Sequence, residues 1–133
     1  MKRILFINSH REISGGEVVL INLLKTLDRS RYAPMVVSPG TGPFQSAIED
    51  LDVQVRVIRM SISLGRGSTL LILKNMARFT VSCISTVQSL LYALPAARFT
   101  KVPVVWHCHE YYLYRGIGPL FMNRATHIIV RDD

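Results

Sequence analysis

Cysteine is scarce in this sequence, and the two cysteines that occur, Cys83 and Cys108, stand far apart in apolar runs. No Cys-X-X-Cys pair is present, which argues against zinc or redox chemistry based on cysteine. We therefore interpret both residues as small buried apolar side chains of a protein that works in a reducing compartment.

The sequence also lacks an uninterrupted apolar stretch of the roughly 18 to 20 residues that a membrane span needs. Its most apolar region, residues 69–97, is broken by Lys74, Arg78 and Gln88. At the N terminus, the apolar run over residues 4–7 is too short for a signal peptide, and polar residues follow it at once. The sequence therefore predicts a cytoplasmic protein.

Acidic residues are few: 9 Asp and Glu stand against 16 Lys and Arg, which gives a formal net charge of +7. Such a balance favours anionic partners, including phosphates, nucleotide-linked sugars and anionic lipids. The basic residues are scattered and form no dense block with interleaved aromatic residues, so nucleic acid is not an expected partner. A peripheral contact with the inner face of a membrane stays open.

In place of these features, the sequence contains short apolar runs that alternate with helical patterns. Hydrophobic residues make up 49% of the 133 residues and charged residues 19%, which is typical of one globular domain. Strands are predicted over residues 4–7, 35–37, 53–57, 102–108 and 127–130. Helices are predicted over residues 17–27, 43–51, 68–79, 87–97 and 119–124, and residues 80–84 fit either a strand or a continued helix. The alternation predicts an α/β fold, a Rossmann-like parallel sheet flanked by helices.

Two of these segments have a more detailed pattern. The first helix carries Leu20, Leu23, Leu24 and Leu27 at the spacing of one helical face. Residues 53–57 alternate between apolar and polar types, which predicts a strand near a sheet edge.

The first candidate site is Ser14-Gly15-Gly16-Glu17, which follows the first predicted strand and opens the first predicted helix. Paired glycines let a ligand approach the backbone, and the free N–H groups of a helix start favour an anion. Glu17 falls in the first turn, where the helix dipole favours negative charge. Because ligands of open α/β sheets bind at the carboxyl ends of the strands, Gly15, Gly16 and Glu17 are candidates for substrate or phosphate binding. A tight turn without a ligand is the alternative.

Two other classes of α/β protein are not indicated. The dinucleotide fingerprint G-x-G-x-x-G is missing, and the second strand ends at Ser38 without the acid that holds the ribose. A phosphate-accepting response regulator is disfavoured because no pair of acids follows the first strand.

The second candidate site lies at the end of the strand over residues 102–108, where His107, His109 and Glu110 occur close together. Two histidines and an acid at a strand's carboxyl end can position hydroxyl groups and transfer protons near neutral pH. Structural histidines are one alternative. A metal site is another, but it would need further ligands from Glu110, His10 or Asp132 at no recognisable spacing, so no metal is expected.

A third candidate is the polar, glycine-bearing segment over residues 61–67. Arg66 in this segment and Arg59 before it could meet an acidic acceptor. A solvated loop is the favoured alternative.

The order of these motifs resembles a known family. The strand KRILFI, the motif SGGE, the strand and loop VPVVWHCHEYY and the strand ATHIIV follow one another as in the N-terminal domain of glycosyltransferase family 4. The resemblance spans nearly the whole chain. It implies the GT-B architecture, in which residues 1–133 would form the single Rossmann-like domain on the acceptor side.

The resemblance also implies roles for particular residues. A nucleotide-sugar donor would sit mainly on a second, C-terminal domain, with Gly15 and Gly16 approaching its phosphates. His109 would lie near the transferred sugar, and Glu110 would orient the loop. His107 has no firm role in the family and is placed among the supporting residues of the substrate site. Transfer would proceed with retention, and no cofactor or metal is implied beyond the nucleotide-sugar substrate.

The sequence departs from the family pattern in two places. The C-terminal donor domain is absent, so the chain is expected to be inactive alone. The usual strand rich in Asp, Ile and His is replaced by residues 78–85. A second hypothesis is therefore a non-catalytic acceptor-binding or assembly subunit of a two-chain transferase at the membrane surface. Polysaccharide, lipid-linked and small-molecule acceptors all remain open.

Overall fold

The computed structural model describes residues 1–59, 81–84, 96–108 and 127–130. The strands are β1 (Lys2–Ile7), β2 (Tyr32–Ser38), β3 (Gln54–Val57), β4 (Val81–Ile84), β5 (Val104–Cys108) and β6 (His127–Val130). The helices are α1 (Gly15–Thr26) and α2 (Pro43–Glu49), and residues 96–100 are also helical. The helices predicted over residues 68–79 and 119–124, and most of the one predicted over residues 87–97, lie outside the described residues.

The six strands form one sheet in the order β3-β2-β1-β4-β5-β6. Every neighbouring pair is parallel. This is the strand order of a Rossmann fold, and it confirms the α/β fold predicted from the sequence. The chain runs from β1 toward β3 on one side and from β4 toward β6 on the other, so the strand order reverses between β1 and β4.

Two predictions about strands are confirmed by this order. β3 is the outermost strand on one side of the sheet, as the alternating pattern of residues 53–57 indicates. Of the two alternatives for residues 80–84, the strand is correct, because Val81–Ile84 pairs with both β1 and β5.

Strands β1 and β2 are buried on both faces, as their unbroken apolar runs predict. On one face, Phe6 and Val36 pack with residues of α1 and α2 in a core cluster; its buried members are Phe6, Leu20, Leu24, Val36, Phe44, Ile48 and Val53. Residues of opposite orientation in the same strands, including Leu5 and Val37, are also buried. The helix α2 begins with Pro43 in its first turn and buries Phe44 and Ile48.

The buried face of α1 differs from the predicted one at a single position. Leu20 and Leu24 are buried, but 41% of Leu23 is exposed. Leu23 lies about 60° around the helix from Leu20, on the side opposite to Leu24. The face that meets the sheet instead runs through Glu17, Leu20 and Leu24. Within the described ranges, none of the helices combines the length and apolar character that crossing a bilayer requires.

Candidate functional site

The carboxyl ends of β1, β4 and β5 lie side by side at one edge of the sheet. Ile7 at the end of β1 pairs with Ile84, and Ile84 pairs with Trp106. Because neighbouring strands are about 4.8 Å apart, β1 and β5 are separated by roughly 10 Å. β5 continues for two more residues to Cys108, about 7 Å past the level of Ile7. The segments that carry the first two candidate sites therefore leave the sheet at the same edge, beside the point where the strand order reverses.

The loop between β1 and α1 starts from a fully buried asparagine. The backbone N–H of Asn8 donates to the carbonyl of Val37 in β2 at 3.0 Å. Its side-chain amide donates to the carbonyl of His10 at 2.8 Å. A buried amide that forms such a bond holds the chain in one path, because breaking the bond would leave a buried polar group unsatisfied. The position of His10 is thus fixed by a side chain inside the core.

A capping box starts α1. The backbone N–H of Ser14 donates to Oε2 of Glu17 at 3.0 Å, and the Ser14 hydroxyl donates to the same oxygen. The first intrahelical bond runs from the N–H of Val18 to the carbonyl of Ser14 at 3.0 Å. The helix therefore begins at Gly15, two residues before the predicted start at residue 17, and both glycines belong to its first turn.

Glu17 is a buried carboxylate, with 2% of its surface exposed. Its second oxygen, Oε1, lies 3.2 Å from Nδ1 of His10, whose side chain is half exposed. Burial raises the pKa of the Glu17 carboxyl. Hydrogen bonds from the Ser14 hydroxyl and from the backbone N–H groups of Glu17 and Ser14, together with His10, outweigh burial and hold this pKa below its ordinary value. Glu17 is consequently ionised at neutral pH.

Gly15 is exposed and has space around it. A Cβ atom added to this glycine would meet no heavy atom within 4 Å of the described structure. Its φ angle is not positive, so an L-residue could adopt the same backbone conformation. Because the helix starts at Gly15, the N–H groups of Gly15 and Gly16 have no intrahelical acceptor. The start of α1 thus offers two N–H donors and the positive end of a helix dipole, and the described residues leave the space beside Gly15 open.

The loop that carries His10 also packs against the segment between β2 and α2. The N–H of Phe44 donates to the carbonyl of Arg11 at 3.0 Å. A Cβ atom added to Gly40 would lie 2.6 Å from Cδ of Arg11, and one added to Gly42 would lie 3.2 Å from the Arg11 carbonyl oxygen. Gly40 therefore leaves room for the Arg11 side chain, and Gly42 lets the backbones of the two loops approach each other closely.

The structure brings together some of the predicted site residues. Gly15, Gly16 and Glu17 lie in the first turn of α1. His107 is in β5, where it pairs with Ile129 at the same edge of the sheet. His109, Glu110 and Arg66 lie outside the described residues, so their roles stay predictions.

Several residues at this edge were not predicted as binding or catalytic residues, although His10 was considered as a metal ligand. They are Asn8, His10, Arg11, Gly40 and Gly42, and the contacts described above connect them. A Ser-x-x-Glu motif is a visible capping signal, but the contact with His10 depends on the path of the loop. Within the described ranges, no group of three His, Cys, Asp or Glu side chains could hold a metal ion. Glu110 and Asp132, which the metal hypothesis would need, lie outside those ranges.

The parallel sheet, with a helix start at the reversal of strand order, defines a Rossmann-like domain of the kind found in GT-B glycosyltransferases. A family model for glycosyltransferase family 4 matches residues 13–131, and the chain belongs to this family. The resemblance noted in the sequence is thereby confirmed.

Solved structures show the same fold. HepE from Anabaena in complex with UDP and glucose is 20% identical, with a TM-score of 0.79 over 96% of this chain and 38% of that chain. MurG from Acinetobacter baumannii is 11% identical, with a TM-score of 0.79 over 100% of this chain and 42% of that chain. A glycosyltransferase from Rickettsia africae is 16% identical, with a TM-score of 0.68 over 92% of this chain and 35% of that chain.

This chain thus spans less than half the length of each of these glycosyltransferases. At these identities the similarity establishes the fold. A comparison with curated proteins found no match.

Proposed function

We propose that this chain is the acceptor-side half of a retaining glycosyltransferase, which transfers a sugar from a nucleotide-sugar to a polysaccharide, lipid-linked or small-molecule acceptor. The observation that carries the proposal is the start of α1, which lies beside the reversal of strand order and exposes Gly15 with two N–H groups free of intrahelical acceptors. A diphosphate is the ligand class that fits such a helix start, because its negative charge meets the positive end of the helix dipole.

The donor would be held mainly by a second domain. HepE has been solved with UDP-glucose bound, and 37% of its chain is covered by this one. In a protein of that size, the carboxyl edge of the sheet described here would face a donor that is bound to the second domain. We therefore propose a uridine diphosphate sugar as the first donor class to test, and we expect residues 1–133 to be inactive alone.

The decisive experiment joins residues 1–133 to a donor-binding domain of the same family and incubates the protein with UDP-glucose and candidate acceptors. We expect NMR spectra of the product to show an α-linked sugar, the configuration it has in the donor. Residues 1–133 alone serve as the control and should release no UDP. A β-linked product would exclude the retaining mechanism, and the absence of transfer with every nucleotide-sugar would contradict the proposed function.

Replacing Gly15 with alanine distinguishes an effect on the stability of the fold from an effect on ligand binding. We expect Gly15→Ala to leave the melting temperature unchanged or to raise it, because the added methyl group has space and alanine favours a helix. The same methyl group would stand between the helix start and the donor phosphates. We therefore expect KM for the nucleotide-sugar to rise about tenfold, which corresponds to one lost charge-assisted hydrogen bond.

Asn22→Ala is the matched control for this variant, because Asn22 lies on the exposed face of α1 away from its start. It should change helix propensity without changing KM. An unaltered KM in Gly15→Ala would show that the helix start does not bind the donor.

A membrane-surface role has one supporting observation. Exposed basic residues gather at the amino ends of β1, β2 and β5, at the edge of the sheet opposite to the candidate site. They are Lys2, Arg3, Arg29, Arg31, Arg98 and Lys101. Such a cluster favours peripheral contact with anionic lipids. Sedimentation with vesicles that contain phosphatidylglycerol tests this role, and an absence of binding at low salt would contradict it.

A further inference from the structure

We propose that His10 binds the acceptor: Glu17 holds the Nδ1–H of its imidazole, and Nε2 accepts a hydrogen bond from a hydroxyl group of the acceptor. This inference rests on the proposed function, because it assigns a ligand to the same edge of the sheet. It adds a residue to the site that neither the sequence motifs nor the family match identifies.

Two buried polar side chains hold His10 in place. Asn8, which is fully buried, donates its amide to the backbone carbonyl of His10 at 2.8 Å. Glu17, also buried, approaches the imidazole ring at 3.2 Å. Burying polar groups is costly unless they are hydrogen-bonded, and here bonds from two of them are directed to the backbone and the ring of one residue. The position and the orientation of His10 are therefore both specified.

The two oxygens of Glu17 have separate partners. Oε2 accepts from the backbone and the hydroxyl of Ser14, which completes the helix cap. Oε1 contacts His10. Since the cap is complete without Oε1, the contact with His10 is not needed to start α1.

The ionised carboxylate determines the tautomer of the ring. A carboxylate only accepts hydrogen bonds, so Nδ1 of His10 must carry the proton in this contact. In a neutral imidazole, Nε2 then has the free lone pair and is an acceptor. The side chain of His10 is 50% exposed, and within the described residues no partner to Nε2 is found. The ring thus offers an acceptor atom in a fixed orientation, in the loop that follows β1 at the carboxyl edge of the sheet.

A hydroxyl group is the ligand chemistry that this atom recognises. A neutral imidazole nitrogen with a free lone pair accepts from an alcohol, whereas ionised phosphate oxygens only accept hydrogen bonds and cannot donate one to it. Sugar acceptors and other alcohols carry such hydroxyl groups. The site therefore fits the acceptor and not the phosphates of the donor.

The first test reads the tautomer directly. Two-dimensional ¹H–¹⁵N NMR spectra of the histidine side chains, recorded for the 133-residue chain near pH 8, distinguish Nδ1–H from Nε2–H. We expect the Nδ1–H tautomer in the wild type, and a mixture of both tautomers in Glu17→Gln. Glu12→Gln is the matched control, because Glu12 lies exposed in the same loop, and it should keep the wild-type tautomer. An Nε2–H tautomer in the wild type would overturn the proposal.

The second test uses the two-domain enzyme and two variants of His10. The amide of His10→Asn replaces Nδ1 and keeps the bond to Glu17, but it lacks the atom at Nε2. The glutamine side chain in His10→Gln is longer, so its amide group reaches the position that Nε2 has in the wild type. We expect His10→Asn to keep the wild-type melting temperature and donor KM while its acceptor KM rises about tenfold, and His10→Gln to recover most of that loss.

The outcomes separate this inference from the proposed function. If the wild-type enzyme transfers sugar and His10→Asn has an unchanged acceptor KM, His10 is a structural residue and only this inference is wrong. If the wild type transfers no sugar, the proposed function fails and the acceptor role of His10 fails with it.

Discussion

Replacing His109 with alanine in the two-domain enzyme is expected to lower kcat by a factor of about 100 or more, the usual effect of removing a side chain that contacts the reacting group. β5 ends at Cys108 at the carboxyl edge of the sheet, the edge at which β1 also ends. The family resemblance implies that His109 lies near the transferred sugar, where its imidazole would stabilise charge that develops during transfer. Single-turnover rates with saturating donor and acceptor measure the effect without a contribution from binding.

Arg98→Ala is the matched control for His109→Ala. Arg98 is exposed and precedes β5, so it lies near the opposite edge of the sheet. Its replacement should leave kcat within about twofold of the wild type, as expected for a surface residue away from the site. A wild-type rate in His109→Ala would remove this residue from the mechanism, while a loss of kcat in both variants would indicate a general effect on folding.

Replacing Glu17 with glutamine is expected to lower the free energy of unfolding by about 2 kcal/mol at pH 7, because it removes a buried ionised acceptor from the Ser14 cap and from His10. The loss should depend on pH. Since the pKa of Glu17 is lowered in the folded protein, its contribution to stability is fully present above the ordinary pKa of a glutamate. That contribution disappears as the pH falls through the lowered value. Urea unfolding at neutral and acidic pH measures both effects.

The pH dependence is the more specific part of this prediction. The difference in stability between the wild type and Glu17→Gln should be largest above about pH 5 and should shrink in acid. Glu12→Gln again serves as the control, because Glu12 is exposed, and its effect should stay within about 0.5 kcal/mol at every pH. A difference that is constant with pH would show that the charge of Glu17 does not stabilise the fold.

The strands could be predicted from the sequence because each consists of a short apolar run. A run such as residues 4–7 is too short for a signal peptide or a helix and is followed by polar residues, so a strand is the favoured prediction. Residues 80–84 fit either a strand or a continued helix, because their β-branched residues occur beside a helical pattern. Only the pairing of Val81–Ile84 with strands on both sides decides between them.

The details of the site could be predicted less well. Paired glycines usually mark a loop, which places the predicted start of the helix at residue 17. The capping box instead starts α1 at Gly15, so both glycines are helical. The contact between His10 and Glu17 joins residues seven positions apart, across the irregular residues 11–14 and the start of α1. No periodic pattern describes such a segment, and its path is set by the bond from Asn8 inside the core.

The close contact of Arg11 with Gly40 and Gly42 affects how the site can evolve. A side chain at Gly42 would press on the backbone of the loop that holds His10, and one at Gly40 would displace the side chain of Arg11, although about thirty residues separate the two segments in the sequence. In a library selected for altered acceptor preference, we expect replacements of these glycines among the selected variants, accompanied by compensating replacements of Arg11. A chimaera between family members would have to exchange both loops together to retain activity.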